Sequence, residues 1–542
     1  MPETISGPRA GLETLDYVGV VAYLLATLAI VVWSSRKQES TDEFFLGSRR
    51  MPWLAVGMSL LATLLSTLTY LGAPGEIVKN GVAFFMGLLA LPFSMLVVLC
   101  LWVPFFMRLR LTSAYEYLER RFDYRARLLG GTLFLFLRLG WMSLVIHTAS
   151  GALREMTGFS IQWLIVFVGL SATLYTCVGG IRAAIWNDVL QFVMLFGGLF
   201  VTVGYVAWAT GTGPTHWWNT VTAHSPAHTN PLWFSFDPTV RMTVATVVLH
   251  SFFWTICTHG ADQVALQRYF ATRSLSAARR SYLVNAVSDI LVSVLLATSG
   301  LALLFFYFEH PDFLGEGLTP ASAGDKLLPY FFTHQLPAGL GGLILAGFLC
   351  DAMQTLDSGV NSISAVATTD IGDRFHSFRA GRMGDLRLAR ALTLIVGILT
   401  TGVALMVAYT AEHSDLNIVD LMPRLFNMFL GPLASLFFIG MFLPRCTARS
   451  ALPAVLCSLV LSIVWSHWST IVMALALLAP SLESYSSIRP SITWAIWFPC
   501  TIAFLLAALL GTIVDKRGDH PGRAYSWRAV LRRPEPGPND PN

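Results

Sequence analysis

Three stretches of this chain place oxygen-bearing side chains inside runs that are otherwise apolar. The densest is Asp351-Ala-Met-Gln354-Thr355-Leu-Asp357-Ser358-Gly-Val-Asn361-Ser362, with two carboxylates, two amides and three hydroxyls in twelve residues. A second runs from Ser59 through Ala62-Thr63-Leu64-Leu65-Ser66-Thr67-Leu68-Thr69-Tyr70, and a third is Gly179-Gly180-Ile-Arg182-Ala-Ala-Ile-Trp186-Asn187-Asp188-Val-Leu-Gln191. Hydroxyls, amide oxygens, carboxylates and free backbone carbonyls are the ligands hard cations take. Back-bonding to the preceding helical turn accounts for single Ser and Thr residues in a membrane helix, but not for Asp351 and Asp357 together. A lipid-facing carboxylate is costly, so this face lines protein or a watery path. The seven cysteines are scattered, without the spacing of a metal site or disulfide framework. No HExxH, Gly-x-Ser-x-Gly or Walker lysine motif is present, so the chain does not read as an enzyme.

The elements that must position these residues are membrane helices. Of 542 residues, 54% are hydrophobic and 13% charged, and the mean hydropathy is +0.60; soluble domains carry about 25% charged residues. Apolar runs of about 20 residues recur from end to end, long enough to cross about 30 Å of hydrocarbon. Such segments must satisfy their backbone groups internally and are therefore helices. About thirteen spans are expected, near 17–35, 53–72, 83–107, 128–153, 160–178, 183–210, 241–259, 282–308, 336–370, 388–411, 417–443, 451–478 and 491–514. The first follows Glu13 and Asp16 rather than a basic region, and Arg36 and Lys37 follow it in place of a cleavage site, so it reads as a retained helix and not a signal peptide.

Lysine and arginine placement orients the bundle. With the N-terminus outside, every cytoplasmic loop is basic and no outer loop is, which puts the C-terminus inside a plasma (inner) membrane. The net charge of +4 thus bears on topology rather than on nucleic acid. Residues 515–542, rich in proline, read as a disordered cytoplasmic tail. After every loop is assigned, Arg138 and Arg424 are left inside spans.

Ala62–Gly75, the Gly-Gly-Ile-Arg-Ala-Ala-Ile-Trp-Asn-Asp-Val-Leu-Gln segment and the 351–362 stretch together resemble the sodium/solute symporter family. Asp262-Gln263-Val-Ala-Leu-Gln267-Arg268-Tyr269 and Leu430-Gly431-Pro432-Leu433 share the resemblance, which covers roughly 17–514 and is nearest to the anion, vitamin and monocarboxylate carriers. It implies an all-α polytopic fold with an inverted five-helix-repeat, leucine-transporter-like core. The divisions would be 1–52 (outside segment, first helix and first cytoplasmic loop), 53–210 (first repeat), 211–443 (second repeat with its preceding outside loop), 444–514 (two flanking helices) and 515–542 (tail). Glycine and proline do not mark breaks at matching places: Gly72 and Pro74 lie near the outer end of their helix, and 241–259 has neither residue centrally.

The resemblance also implies sites. A sodium ion would be held by the carbonyls of Ala62, Leu65 and Asp351 with the side chains of Gln354 and Thr355, although relatives usually carry Ser or Thr for Gln354 and a small residue for Asp351. Some relatives bind a second ion at positions matching Asp188, Asp357 and Ser358. The solute pocket would lie at mid-membrane, with Thr67, Thr69, Tyr70, Arg138, Trp141, Trp254, Thr255, Arg424 and Asn427 as candidates. His147, His250 and His259 read as packing residues. Two helix arginines would suit a small anionic carboxylate. The reading is sodium-coupled symport of a small organic solute, with lipid, solute and sodium as partners. Its rivals are a sugar or amino-acid symporter, a proton-coupled variant using Asp188 or Asp357, and a membrane sensor on a transporter fold. A short tail without an output domain argues against the sensor.

Overall fold

The computed structural model describes residues 11–35, 41–314, 319–370, 381–411, 421–515 and 520–534. The spans are α1 (Thr14–Ser35), the broken pair α2 (Trp53–Leu64) and α3 (Thr67–Asn80), α4 (Val82–Met107) and α5 (Tyr124–Thr157). A continuous run, Ile161–Thr210, turns at Gly180 into α6 (161–179) and α7 (181–210). The second half contains α8 (Val244–Ala261), the short α9 (Gln263–Phe270), α10 (Leu275–Glu309), α11 (Leu340–Asp370), α12 (Gly381–Ala411) and α13 (Met428–Phe442). α14 (Ala448–Ser466) and α15 (Trp497–Ile513) follow.

Among the described residues, eleven helices are long and apolar enough to cross a membrane, or twelve with the bent α2–α3 pair; Ile161–Leu174 falls short of that length. The expected number, about thirteen, is therefore not reached by length alone. Burial sorts the helices. The most apolar window of α11 is 88% buried and that of α1 only 22%, so the polar 351–362 stretch lies on the central helix, and α1 is peripheral. α11 packs against α1, α5, α7 and α12. Asp16 joins α1 to the start of α11, its Oδ1 accepting the Gly339 and Gly342 N–H groups at 2.7 and 2.8 Å, which places a carboxylate at the positive end of a helix.

Two helix pairs, α2–α3 and α8–α9, meet at short breaks in the helical backbone. α2 and α3 meet at 58° through Leu65 (φ −87°, ψ 107°) and Ser66 (φ −108°, ψ 170°). α8 and α9 meet through Asp262 (φ −88°, ψ 119°). These are ordinary extended conformations that any L-residue adopts, which is why no glycine or proline advertises either break. Asp262 also caps α9, its Oδ1 accepting the Val264 N–H at 3.0 Å. Gly180 is different. Its φ of 56° is one that side chains disfavour, so the Gly-Gly pair marks a real corner. The expected span at 451–478 is likewise interrupted, at His467, between α14 and a short helix Trp468–Ala476.

The tail differs from expectation. Pro521–Tyr525 forms a 3-10 turn and Trp527–Leu531, here α16, a short helix. Both lie against one end of the bundle: the Trp527 ring meets Phe442 at 6.1 Å, and Gly522 packs so tightly on the Arg121 carbonyl that a Cβ would sit 1.8 Å from its oxygen. Proline enrichment suggested disorder, but proline also starts turns and short helices, and apolar anchors (Trp527, Val530) hold them. Residues 535–542 lie outside the described residues.

Candidate functional site

A helix that stops at Leu64 leaves its last carbonyls, Ala62 among them, without in-helix donors. Beyond the break, Ser66 makes no side-chain cap for α3, and its hydroxyl is buried without a hydrogen bond. Facing this gap across the core is the oxygen-bearing side of α11. Asp351, Gln354 and Thr355 are all at most 2% exposed. Thr67 donates its hydroxyl to Asp351 Oδ2 at 2.6 Å, and Gln354 Nε2 reaches Thr63 Oγ1 at 3.5 Å. Asp351 Oδ1, Gln354 Oε1 and Thr355 Oγ1 have no hydrogen-bond partner. Buried oxygens left this way cost about 1–3 kcal/mol each, and clustered beside free helix carbonyls they make a set that fits a hard monovalent cation.

The carboxylates matched to a second ion are differently engaged. Arg268 of α9 donates through Nη2 to Asp188 at 3.0 Å and to Ser358 Oγ at 2.6 Å, and through Nε to Ser59 Oγ at 2.7 Å. Ser59 in turn donates to Asp188. A guanidinium therefore occupies the space between Asp188 and Ser358, and the expected ion site does not form there in this arrangement. Arg268, which loop placement would put outside the spans, is 1% exposed inside the bundle. Asp357 stands apart from this network. Both its oxygens are buried without a partner within hydrogen-bond geometry, with the Thr176 hydroxyl, which donates to the Ala172 carbonyl at 2.7 Å, close by.

Every polar residue of the Asp-Gln-x-x-x-Gln-Arg motif ties α9 to neighbouring segments. Asp262 holds the Arg138 guanidinium of α5 through two bonds, one of them 3.1 Å. Gln263 bridges the Ala114 N–H and the Thr112 carbonyl at 2.7 and 2.9 Å. Gln267 donates to Asn361 at 3.0 Å and accepts from Ser362 at 2.6 Å, joining α11. Eight consecutive residues, Gln263–Phe270, are buried. This half-helix closes one end of the bundle as a polar plug.

Beyond the plug lies a cavity of about 210 Å³ between α2–α3, α4, α8, α10 and the segment leading into α13. Of the candidate residues it is lined by Leu65, Thr69, Trp254, Thr255 and Asn427. Others sit elsewhere. Thr67 is bonded to Asp351, the Tyr70 ring packs on Phe348, and Trp141 stacks beneath the cavity against Phe426 and Trp254 with centroids 4.6 and 6.1 Å apart. Neither candidate arginine lines the cavity. Arg138 is spent on Asp262, and Arg424, in a π-helical turn, lies within electrostatic reach of His467. His250 and His259, read as packing residues, do line it, while also bonding the Thr493 carbonyl at 3.1 Å and the Tyr269 hydroxyl at 2.7 Å. The sequence reading placed α4 and α10 as spans but not as walls of the solute pocket. Asp289 of α10, the single acid of its expected span 282–308, was the available signal.

The model of the sodium:solute symporter family matches residues 44–458. The chain is 30% identical over 460 residues to the sodium/sialic acid symporter of Aliivibrio fischeri, covering 84% of this chain and 88% of that one. It is 30% identical over 494 residues to the human sodium/iodide cotransporter, covering 90% and 74%. A solved sodium-coupled sialic acid symporter, in a substrate-bound outward-open state, superposes with a TM-score of 0.78 at 25% identity, covering 92% and 98% of the two chains.

Proposed function

The chain belongs to the sodium:solute symporter family, and from that premise we propose that it carries a small organic solute, an anionic carboxylate, across a plasma membrane by sodium-coupled symport. It is an integral membrane protein; the outside N-terminus, the cytoplasmic C-terminus and the domain divisions 1–52, 53–210, 211–443, 444–514 and 515–542 are part of the proposal. The observation that carries it is the break at Leu65–Ser66 facing unpaired oxygens of α11. In broken-helix transporters, the carbonyl end of the first half-helix takes the cation, and the N–H end of the second favours an anionic group of the solute. Here the carbonyls of Ala62, Leu65 and Asp351 with Gln354 Oε1 and Thr355 Oγ1 would hold sodium.

Bound there, sodium braces α2 and α3 against α11 and so fixes the first turn of α3, which borders the cavity through Thr69. Solute then finds a preformed wall, and the plug formed by α9 keeps the opposite exit closed. Each charge moved inward gains about 2.3 kcal/mol per 100 mV, which is what lets an ion gradient concentrate a solute. Support for an anion comes from relatives named for sialic acid and iodide and from the uncapped N-terminus of α3.

Proteoliposome uptake under an imposed sodium gradient, a proton gradient, or neither tests this reading. Uptake of a labelled carboxylate that follows sodium is the expected result. Uptake that follows protons alone, as proton coupling through Asp188 or Asp357 would give, overturns it.

A further inference from the structure

α10 turns two chemically distinct faces outward. Leu283, Val287, Ile290, Leu291 and Val294 are exposed, as befits a lipid-facing stripe. On the other side Tyr282, Asn285, Asp289 and Ser293 border the cavity, at the three- and four-residue spacing that puts side chains on one helix face. Asp289 is the one acid of the lining, and no lysine or arginine lines the cavity with it. Asp289 is part-buried, open toward the cavity, and among the described residues no hydrogen bond or ion pair holds its carboxylate. An acid inside a membrane span is costly without a partner and marks a substrate or ion path. A strut role would need a cation beside it, and among the described residues no lysine or arginine borders the cavity with it.

A carboxylate accepts hydrogen bonds and cannot donate them. We infer that Asp289 is a specificity-determining residue that requires hydroxyl or ammonium donors on the solute, at the end away from the α2–α3 break. The inference rests on the proposed symport and narrows it. The solute is a small carboxylate carrying such donors, and a halide or a simple alkyl carboxylate is rejected because it would cover Asp289 and supply it no donor. Sites built to hydrogen-bond a polar group reject the analogue lacking it strongly.

The test uses the whole protein in proteoliposomes with three carboxylate probes under an inward sodium gradient: gluconate (hydroxyls), γ-aminobutyrate (ammonium) and butyrate (neither). Gluconate or γ-aminobutyrate should enter at least about a hundredfold more efficiently than butyrate, and which of the two is preferred identifies the donor. Asp289→Asn should cut that preference at least about tenfold, with binding of radiolabelled sodium retained as proof that the variant is folded. Butyrate entering as well as the other two, uptake of none of the three, or an unchanged preference in a sodium-binding Asp289→Asn protein overturns the inference. The broader reading fails separately, through absence of saturable sodium binding in the unaltered protein.

Discussion

Arg268 and Asp188 form an ion pair 3.0 Å apart, with side chains 1% and 0% exposed, where a half-helix meets the core of the bundle. The pair joins α9 to α7, and through Ser59 and Ser358 the same guanidinium reaches α2 and α11. Four helices therefore share one charge.

Breaking this pair from one side should be worse than removing it whole. Asp188→Asn or Arg268→Gln alone leaves one buried group without its counterpart, which costs about 3–5 kcal/mol. The double variant should lose less than the two single losses added together, with an interaction energy above about 1 kcal/mol. Unfolding of the four proteins in detergent measures the cycle, and strict additivity would show that the two side chains act independently.

Asn427 and Arg424, three residues apart, are expected to behave differently. Asn427 lines the cavity, and its Oδ1 is buried without a partner, so Asn427→Ala should raise the half-saturation for the transported solute about tenfold, or about 1.4 kcal/mol. Arg424→Lys should change it less than about twofold, because that side chain does not line the cavity. Uptake kinetics decide the matter; a large effect of Arg424→Lys with a silent Asn427→Ala would return the arginine to the solute site.

The docked C-terminal segment should loosen in acid. His520 Nε2 lies 3.3 Å from Arg121 Nη1, and burial, then the Arg121 guanidinium, hold its imidazole below the usual histidine range, despite Asp515. Its folded value is lower than the unfolded one, so its contribution to docking is fully present above about pH 6.5 and is lost as pH falls through the lowered folded value. Hydrogen exchange at the Val530 amide, which bonds the Ser526 carbonyl at 3.0 Å, should quicken on acidification after correction for intrinsic rates. His520→Asn should remove that response. Protection unchanged down to pH 4, or a variant that still responds, contradicts the account.

Much of the architecture was legible because membrane helices are written in composition: the apolar runs located the spans, and the polar density of 351–362 located a helix that is buried on nearly all sides. The helix breaks were not legible. Leu65, Ser66 and Asp262 adopt extended angles open to any residue, and Ser66 and Asp262, though N-cap types, sit in polar stretches where serine and aspartate have other uses, whereas Gly180 needs its positive φ and was flagged by a Gly-Gly pair. Arg268 was misplaced for a related reason. An arginine near the end of a span reads as a loop residue unless the side chains it bonds, on three other helices, are known. Asp289 was readable in principle, as an acid within an apolar run.

Sodium binding at the α2–α11 gap is the central claim, and radiolabelled sodium binding to the purified protein tests it without knowledge of the solute. The unaltered protein should bind sodium saturably, with displacement by unlabelled sodium and not by potassium. Thr355→Ala removes one unpaired oxygen of the set and should weaken binding about tenfold, while the melting temperature measured without sodium stays within a few degrees. Binding that is absent, or that keeps its affinity in Thr355→Ala, would contradict the assignment of this gap as the coupling site.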